Sequence, residues 1–246
     1  MKIAFQNENV TLWHGDCREV IPTLHGVDAV LCDPPYGIRH KSSHGATWEG
    51  KEIAGDGDTA LRDWVWQTFA DKPRAMFGIS WRQPPPPNVR TVLIWDKGPA
   101  FGAGDLRMPW KPCWEEIYIA GQGWRGRRDS GVLRGPCVPS WESGPAHDGN
   151  GRKHPHQKPT WLMRLLIEKL PDARLILDPF AGSGTTLLAA AEAGRHAVGV
   201  EVDDGYCAKA VARLEQWHAQ GRLDFGTANA SLSISGDEPE YAPGDC

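Results

Sequence analysis

The sequence predicts an α/β fold built on a doubly wound, mostly parallel sheet. Short apolar runs recur along the chain, and most are continuous rather than alternating, as in strands that are covered on both faces. Segments with helical spacing lie between several of these runs. Strands that alternate with helices are typical of a parallel sheet, in which ligands bind at the carboxyl ends of the strands.

The individual elements follow from local patterns. Leu162, Leu166 and Leu170 share one helical face behind a cap at Thr160, and a second helix of strong helix formers stops at Gly194. The expected strands are VTLWHG (10–15), VDAVLC (27–32), RAMFGIS (74–80), VRTVLIW (89–95), EEIYIAG (115–121), ARLILDPF (173–180) and HAVGVEV (196–202). The expected helices are TWLMRLLIEKL (160–170), TTLLAAAEAG (185–194) and DDGYCAKAVARLEQW (203–217).

Composition indicates one folded domain. The chain has 246 residues, of which 40% are hydrophobic and 24% charged, so we expect a single domain over residues 1–226 with a loop-rich insert at 121–153. The polar, acidic stretch 227–246 is expected to be a disordered tail. The sequence contains no apolar run of membrane-spanning length and does not begin like a signal peptide, which predicts a cytoplasmic protein without membrane association.

Cysteine and histidine spacing argues against a disulfide framework and against a metal. The six cysteines include no CxxC pair, and the nearby histidines His147, His154 and His156 have no paired cysteines beside them. The net charge of −4 excludes a uniformly basic protein. Between residues 121 and 160, however, seven basic residues stand against three acidic ones, which could form a local nucleic-acid surface.

The stretch LCDPPYGIRH, residues 31–40, leaves an expected strand through an acid, two prolines and a tyrosine. Each proline fixes φ near −65° and offers no N–H group, so the backbone at Asp33 is held in place. A strand-ending turn without further function is the structural alternative for this motif alone.

The stretch DPFAGSGTT predicts a ligand-binding turn between a strand and a helix. Gly182 and Gly184 permit a sharp turn and close approach of a ligand, and Thr185 opens a helix whose free N–H groups favour negative charge. The motif lacks the lysine of a nucleoside triphosphate P-loop and the third glycine of the dinucleotide fingerprint. A tight turn that binds nothing is the alternative.

Glu201 ends the next expected strand, about 20 residues beyond the glycine turn, where an acid binds ribose hydroxyls in nucleotide sites. An ordinary surface acid or helix cap is the alternative, and it suits Asp203 or Asp204 better. A ribose-bearing cofactor without a pyrophosphate signature indicates S-adenosylmethionine.

Taken in order, DPPY, QKP before a helix, LDPFAGSGTT and GVEVDDGYCAKAVARL resemble the amino-group DNA methyltransferases. Because DPPY precedes the glycine turn, the order is similar to the β group of that family. The likeness covers roughly residues 10–37 and 154–217, and the stretch 37–88 departs from it. The resemblance implies the sheet of class I S-adenosylmethionine-dependent methyltransferases with circularly permuted motifs. It also implies methyl transfer to an exocyclic amine of double-stranded DNA and allows a homodimer.

The resemblance implies catalytic roles for the DPPY residues. The amine of adenine or cytosine is a weak nucleophile, because its lone pair is delocalised into the ring. The Asp33 carboxylate and the Pro34 carbonyl could accept hydrogen bonds from the amine, with Pro35 stiffening the turn and Tyr36 stacking on the extruded base. The amine would then attack the methyl carbon in line and lose a proton, without a covalent enzyme intermediate.

The resemblance also implies a set of cofactor contacts. Asp16 resembles the acid near the cofactor adenine, although a turn aspartate bound to local backbone is the alternative. Lys158 resembles the segment near the methionine end of the cofactor, and a solvent-facing loop lysine is an equally weighted alternative. The full set is Asp16, Cys17, Lys158, Asp178, Phe180, Ala181, Gly182, Ser183, Gly184, Thr185, Glu201 and Val202.

The basic part of the insert lies where the β group has its target-recognition region. Its arginines and lysines would contact phosphates or guanine edges, and Trp124 or Trp141 could stack when a base is extruded, whereas a solvated loop is the alternative. The expected DNA-binding residues are Arg125, Arg127, Arg128, Arg134, Arg152 and Lys153.

Three functions are compatible with these motifs. The initial aspartate of DPPY favours N6 of adenine in a short DNA sequence, with N4 of cytosine as the alternative. Methylation of RNA or of a protein amide is disfavoured by the motif order. A catalytically inactive nucleic-acid-binding module is the alternative from a different class, although no motif residue is missing.

Overall fold

The structure is a computed structural model that describes residues 1–35, 57–98, 107–135 and 157–220. Within these ranges, nine strands form one sheet in the order β1-β2-β9-β8-β3-β4-β6-β5-β7. The strands are β1 (Lys2–Gln6), β2 (Val10–His14), β3 (Ala29–Cys32), β4 (Arg74–Gly78), β5 (Thr91–Asp96), β6 (Trp114–Ala120), β7 (Val132–Arg134), β8 (Leu175–Asp178) and β9 (His196–Glu201).

The centre of the sheet is parallel, which confirms the predicted fold class. Strands β2, β9, β8, β3 and β4 pair in parallel, so their carboxyl ends meet at one edge. Strand β6 runs antiparallel to both β4 and β5, and β1 runs antiparallel to β2. The amino end of β6 therefore lies at the same edge as the carboxyl ends of the central strands.

Helices cover both faces of the sheet. They are α1 (Cys17–Val20), α2 (Ala60–Thr68), α3 (Thr160–Glu168), α4 (Thr185–Glu192) and α5 (Asp204–Gln220). Leu31 belongs to the core cluster that includes α3, α4 and α5, whereas Val30 and Cys32 belong to the cluster that includes α2. Alternate residues of β3 thus point to opposite buried faces, which is why that apolar run is continuous.

All seven predicted strands and all three predicted helices are present, with ends that differ by a few residues. Strands β1 and β7 and helices α1 and α2 were not predicted. Strand β1 is an edge strand whose residues are largely exposed or half-buried, so it lacks the apolar run that marks an inner strand. The predicted tail, 227–246, lies outside the described residues, and the described helices include none that could cross a membrane.

Candidate active site

Three of the motif residues lie together at the carboxyl edge of the sheet. Asp178 ends β8, Glu201 ends β9, and Asp33 follows β3, which pairs with β8. Charge on Asp33 and on Glu201 contributes to raising the pKa of the Asp178 carboxyl, so the three carboxyl groups share one electrostatic environment. Parallel pairing therefore brings the DPPY turn and the glycine turn to the same edge of the sheet.

The glycine turn has the conformation that its sequence predicts. Gly182 and Gly184 have φ values of 52° and 78°, in the left-handed region that favours glycine. The Glu201 carboxylate accepts hydrogen bonds from the N–H groups of Gly182 and Asp203, each at 2.8 Å. Glu201 is 8% exposed, and burial raises its pKa, although these backbone donors oppose that effect. It is therefore a structural part of the turn rather than an ordinary surface acid.

A half-buried arginine on α5, which the sequence analysis missed, binds the glycine turn. The Arg213 guanidinium on α5 donates to the Ser183 carbonyl at 2.6 Å, to the Ser183 hydroxyl at 3.0 Å and to the Thr185 hydroxyl at 3.2 Å. Burial lowers the Arg213 pKa to about 10. The side chains of Ser183 and Thr185 are thus engaged with α5, so contacts with a ligand would come from their backbone.

Asp178 is a buried acid that stabilises the turn. It is 3% exposed and accepts from the Phe180 N–H at 3.0 Å. Burial raises its pKa from 3.8 to about 7, and hydrogen bonds from Thr186 and Phe180 only partly offset that effect. Asp178 therefore stabilises the start of the glycine turn by accepting from the Phe180 N–H.

The raised pKa predicts how Asp178→Asn changes stability with pH. Between the ordinary pKa of 3.8 and about 7, the folded protein binds this proton more tightly than the unfolded chain, so stability falls as pH rises. Relative to Asp178→Asn, the parent should lose roughly 3 kcal/mol between about pH 5 and pH 8, measured by urea unfolding. If the free energies of unfolding of the two proteins changed with pH in the same way, the pKa of Asp178 would not be raised by burial in the folded protein.

The acid of DPPY is paired with a buried lysine. Lys158 Nζ lies 2.5 Å from Asp33 Oδ2 and 3.2 Å from Glu115 Oε2, and its side chain is 7% exposed. Lys97 also pairs with Glu115, and the Lys158 ammonium lies 4.8 Å from the ring centroid of Phe77. The solvent-facing alternative for Lys158 is therefore wrong, and two lysines and two carboxylates form one cluster at the sheet edge.

Attraction within the cluster shifts the pKa values of Lys158 and Glu115 toward their charged forms. Burial by itself would lower the pKa of Lys158, but Asp33 and Glu115 outweigh it and raise that pKa above its usual value. Burial would likewise raise the pKa of Glu115, but Lys158 and Lys97 outweigh it and lower that pKa. The lysine therefore presents a fixed positive charge to one oxygen of Asp33.

Three further cofactor candidates follow strands β2 and β9. Asp16 caps α1, accepting from the Arg18 N–H at 2.8 Å, and its ion pair with Arg18 lowers its pKa. Asp16 thus makes the local contacts expected of an aspartate that binds the backbone of its own turn. Cys17 is buried, and burial raises its pKa to about 11, so its side chain belongs to the core. Val202, beside Glu201, is 50% exposed.

Most of the described arginines expected to bind DNA lie at the edge of the sheet opposite Asp33. Because β6 is antiparallel to β4, its carboxyl end at Ala120 meets the amino end of β4, away from Asp33. Arg125, which follows this end, pairs with Asp172 at 3.4 Å, and its N–H donates to the Lys169 carbonyl at 2.8 Å. These contacts connect this part of the insert to α3 and its C-terminal loop, and its expected DNA contacts stay a prediction.

The neighbouring residues also make local contacts. Arg127 pairs with Asp129 at 2.7 Å, and Trp124 packs on the core while its indole N–H donates to Ala120. Arg128, also exposed, follows in the same segment. Of the described arginines in the set, Arg134 alone ends a strand at the active edge, where it lies 3.6 Å from Asp96. Tyr36, Trp141, Arg152 and Lys153 lie outside the described residues.

Comparison with known proteins identifies the family. A family model described as DNA methylase, of the N6/N4 methyltransferases, matches residues 48–212, more than half of the chain. The chain belongs to this DNA methylase family. The match includes the glycine turn and Glu201, and it begins after Asp33.

Relatives of this DNA methylase extend over most of its length. The Type II methyltransferase M.ScaI of Streptomyces caespitosus is 26% identical over 270 residues, covering 87% of this chain and 84% of the relative. The solved PvuII DNA methyltransferase (cytosine-N4-specific) has a TM-score of 0.60 at 16% identity, covering 89% of this chain and 93% of the other. The M1.HpyAVI–SAM complex has a TM-score of 0.54 at 21% identity, covering 83% and 99%. These solved structures have the same fold.

The DNA methylase family uses S-adenosylmethionine, and the edge of this sheet fits that cofactor. The left-handed glycines make a tight turn at the start of α4, and the Glu201 carboxylate, which accepts from the Gly182 N–H, stands beside them. The exposed apolar side chain of Val202 follows directly. A polar, ribose-bearing ligand with a flat base would find matching groups there.

Proposed function

We propose that this DNA methylase transfers a methyl group to N6 of adenine within a short sequence of double-stranded DNA. The observation that carries the proposal is the Asp33 carboxylate, which is held by Lys158 at the same edge of the sheet as the glycine turn. An oriented acceptor close to the cofactor turn is what transfer to an exocyclic amine requires.

The Asp33 side chain would bind the target amine. Lys158 Nζ lies 2.5 Å from Oδ2, and because a carboxylate can accept several hydrogen bonds, Asp33 could also accept from an amine hydrogen. Because this contact with Lys158 holds the carboxylate, the aspartate is oriented to act as a hydrogen-bond acceptor during attack. Pro34 is buried and its carbonyl would accept the second amine hydrogen, while Pro35 fixes the chain direction.

The cofactor would lie across the glycine turn. When bound, S-adenosylmethionine supplies an electrophilic methyl group at its sulfonium. Glu201 would accept from the ribose hydroxyls, Val202 would contact the adenine, and Asp16 would accept from the adenine amine. The backbone of residues 180–185 would line the chain that connects ribose and methionine.

Digestion of treated DNA to nucleosides tests the choice of base. Unmethylated genomic DNA is incubated with the protein and S-adenosylmethionine, and the nucleosides are separated by mass spectrometry. We expect N6-methyladenosine in its deoxy form and no N4-methyldeoxycytidine. The second candidate, N4-cytosine transfer, is favoured by the fold shared with the cytosine-N4-specific PvuII enzyme, and finding only the cytosine product would establish it.

A further inference from the structure

The turn that follows β4 is exposed, cationic and aromatic. Trp81 is 53% exposed, and the guanidinium of the exposed Arg82 lies 4.5 Å from the centroid of its ring. An exposed tryptophan at a fixed position presents a large apolar face to solvent that packing would otherwise bury. Because residues 37–88 depart from the family pattern, the resemblance implies no role for Trp81 or Arg82.

A buried carboxylate fastens this turn to the sheet. Glu116 on β6 is 7% exposed and accepts from the Ser80 N–H at 2.8 Å and from the Ser80 hydroxyl at 2.5 Å. Within the turn, the Arg82 N–H donates to the Ile79 carbonyl at 3.0 Å. The backbone that carries Trp81 is therefore fixed before any ligand arrives, which lowers the entropic cost of binding.

The segment is also fastened at its other end. The Trp66 indole N–H on α2 donates to the Pro87 carbonyl at 2.7 Å, and Trp66 is 1% exposed. Between the two anchors run the prolines 84–87, whose φ angles are restricted. Both anchors are buried, so the exposed pair between them is presented by a stiff segment.

The position of the turn places it beside the candidate active site. Phe77, near the end of β4, lies against Lys158, which pairs with Asp33. On β6, Glu115 pairs with Lys158, and the next residue, Glu116, accepts hydrogen bonds from the turn. The turn therefore projects from the edge at which the target base would be bound.

The charge of this segment suits a polyanion. Residues 79–90 contain no acidic residue, in a protein whose net charge is −4, and Arg82 lies in the turn at the active edge. The other arginine of the segment, Arg90, donates to the Gly121 carbonyl at 3.0 Å at the opposite edge. The described arginines of the insert, by contrast, lie mostly at the opposite edge of the sheet and pair with acids there. A duplex bound at the active edge would meet Arg82 before it met Arg125 or Arg127.

We propose that the turn carrying Trp81 and Arg82 is a duplex DNA contact next to the target base. The inference rests on the proposed function. Trp81 stacks on an exposed base or sugar face near the extruded nucleotide, and Arg82, ordered by its contact with the indole, contacts a backbone phosphate. Glu116 positions the turn and does not itself touch DNA.

The test compares Trp81→Ala, Arg82→Gln and the parent in DNA binding. The probe is a fluorescein-labelled pool of duplexes of random sequence, and its dissociation constant is measured by anisotropy over a range of salt concentrations. We expect Trp81→Ala to weaken binding by about 10-fold. Arg82→Gln should weaken binding several-fold and reduce the slope of log K against log salt by about 0.9. Affinity for S-adenosylmethionine should be unchanged in both variants.

Arg164→Gln is the matched control, because Arg164 is exposed on α3, away from this turn. It should bind duplex like the parent. If Trp81→Ala and Arg82→Gln also bind duplex with the parent's affinity and salt slope, while the parent methylates DNA, the inference is overturned and the proposed function stands. A parent that neither binds nor methylates duplex DNA would overturn both.

Discussion

Asp33→Ala is expected to lower the rate of methyl transfer at saturating DNA by about 10²–10³-fold, which is the usual effect of removing one preorganised polar group from a reacting centre. The variant lacks the carboxylate that would accept from the target amine, and Lys158 loses one of its two anionic partners. Affinity for S-adenosylmethionine should change little, because the glycine turn and Glu201 are untouched. Single-turnover transfer of a labelled methyl group and equilibrium dialysis of the cofactor measure the two effects.

Asp71→Ala is the control for this experiment, since the Asp71 side chain is 72% exposed and pairs with Lys72 before β4, at the edge opposite Asp33. It should transfer methyl groups at the parental rate. Normal activity in Asp33→Ala would remove the acceptor from the mechanism. An inactive parent that still binds duplex DNA would instead support the inactive binding module.

Lys158→Met is expected to destabilise the fold by about 3–5 kcal/mol, the usual result of removing one partner from a buried ionic cluster. The change leaves Asp33 without its lysine and leaves Glu115 with Lys97 alone. Activity should fall with stability, because Asp33 loses the ion pair that orients it. Chemical denaturation of the parent and the variant measures the difference.

Lys169→Met provides a matched control. Lys169 pairs with Asp129 at 2.5 Å, but both side chains are more exposed, at 25% and 35%, so its loss should cost at most about 1 kcal/mol. Equal and small losses in the two variants would show that the Lys158 cluster has no special importance for stability.

The pH dependence of the Lys158→Met effect follows from the two shifted pKa values. The raised pKa of Lys158 makes its stabilising contribution complete below the ordinary value of 10.5, and that contribution disappears as pH rises through the folded pKa. The lowered pKa of Glu115 makes its contribution complete above 4.5, and that contribution disappears as pH falls through its folded pKa. The difference between parent and variant should therefore be constant from about pH 6 to pH 9.

The sequence was most informative where a local pattern and a buried environment coincide. Continuous apolar runs predicted the inner strands, because both of their faces are covered, and the glycines of DPFAGSGTT predicted the left-handed turn that the structure contains. The order of elements was sufficient to bring Asp33 and Gly182 to one edge, since parallel strands share their carboxyl ends.

Other features depend on long-range pairing that no local pattern encodes. Glu115 is separated by 43 residues from Lys158, yet the two meet because β6 begins where β3 and β4 end. The same antiparallel strand carries Arg125 to the far edge of the sheet, although its sequence neighbourhood resembles a DNA-binding loop. The direction of β6 therefore determines which basic residues lie at the active edge.

A crystal structure of the protein with S-adenosylmethionine tests the central claim most directly, by locating the sulfonium methyl group relative to Asp33. We expect the ribose at Glu201, the methionine along the glycine turn and the methyl carbon facing the Asp33 carboxylate, with space between them for one amine. A cofactor bound elsewhere, or a methyl group directed away from Asp33, would contradict the account.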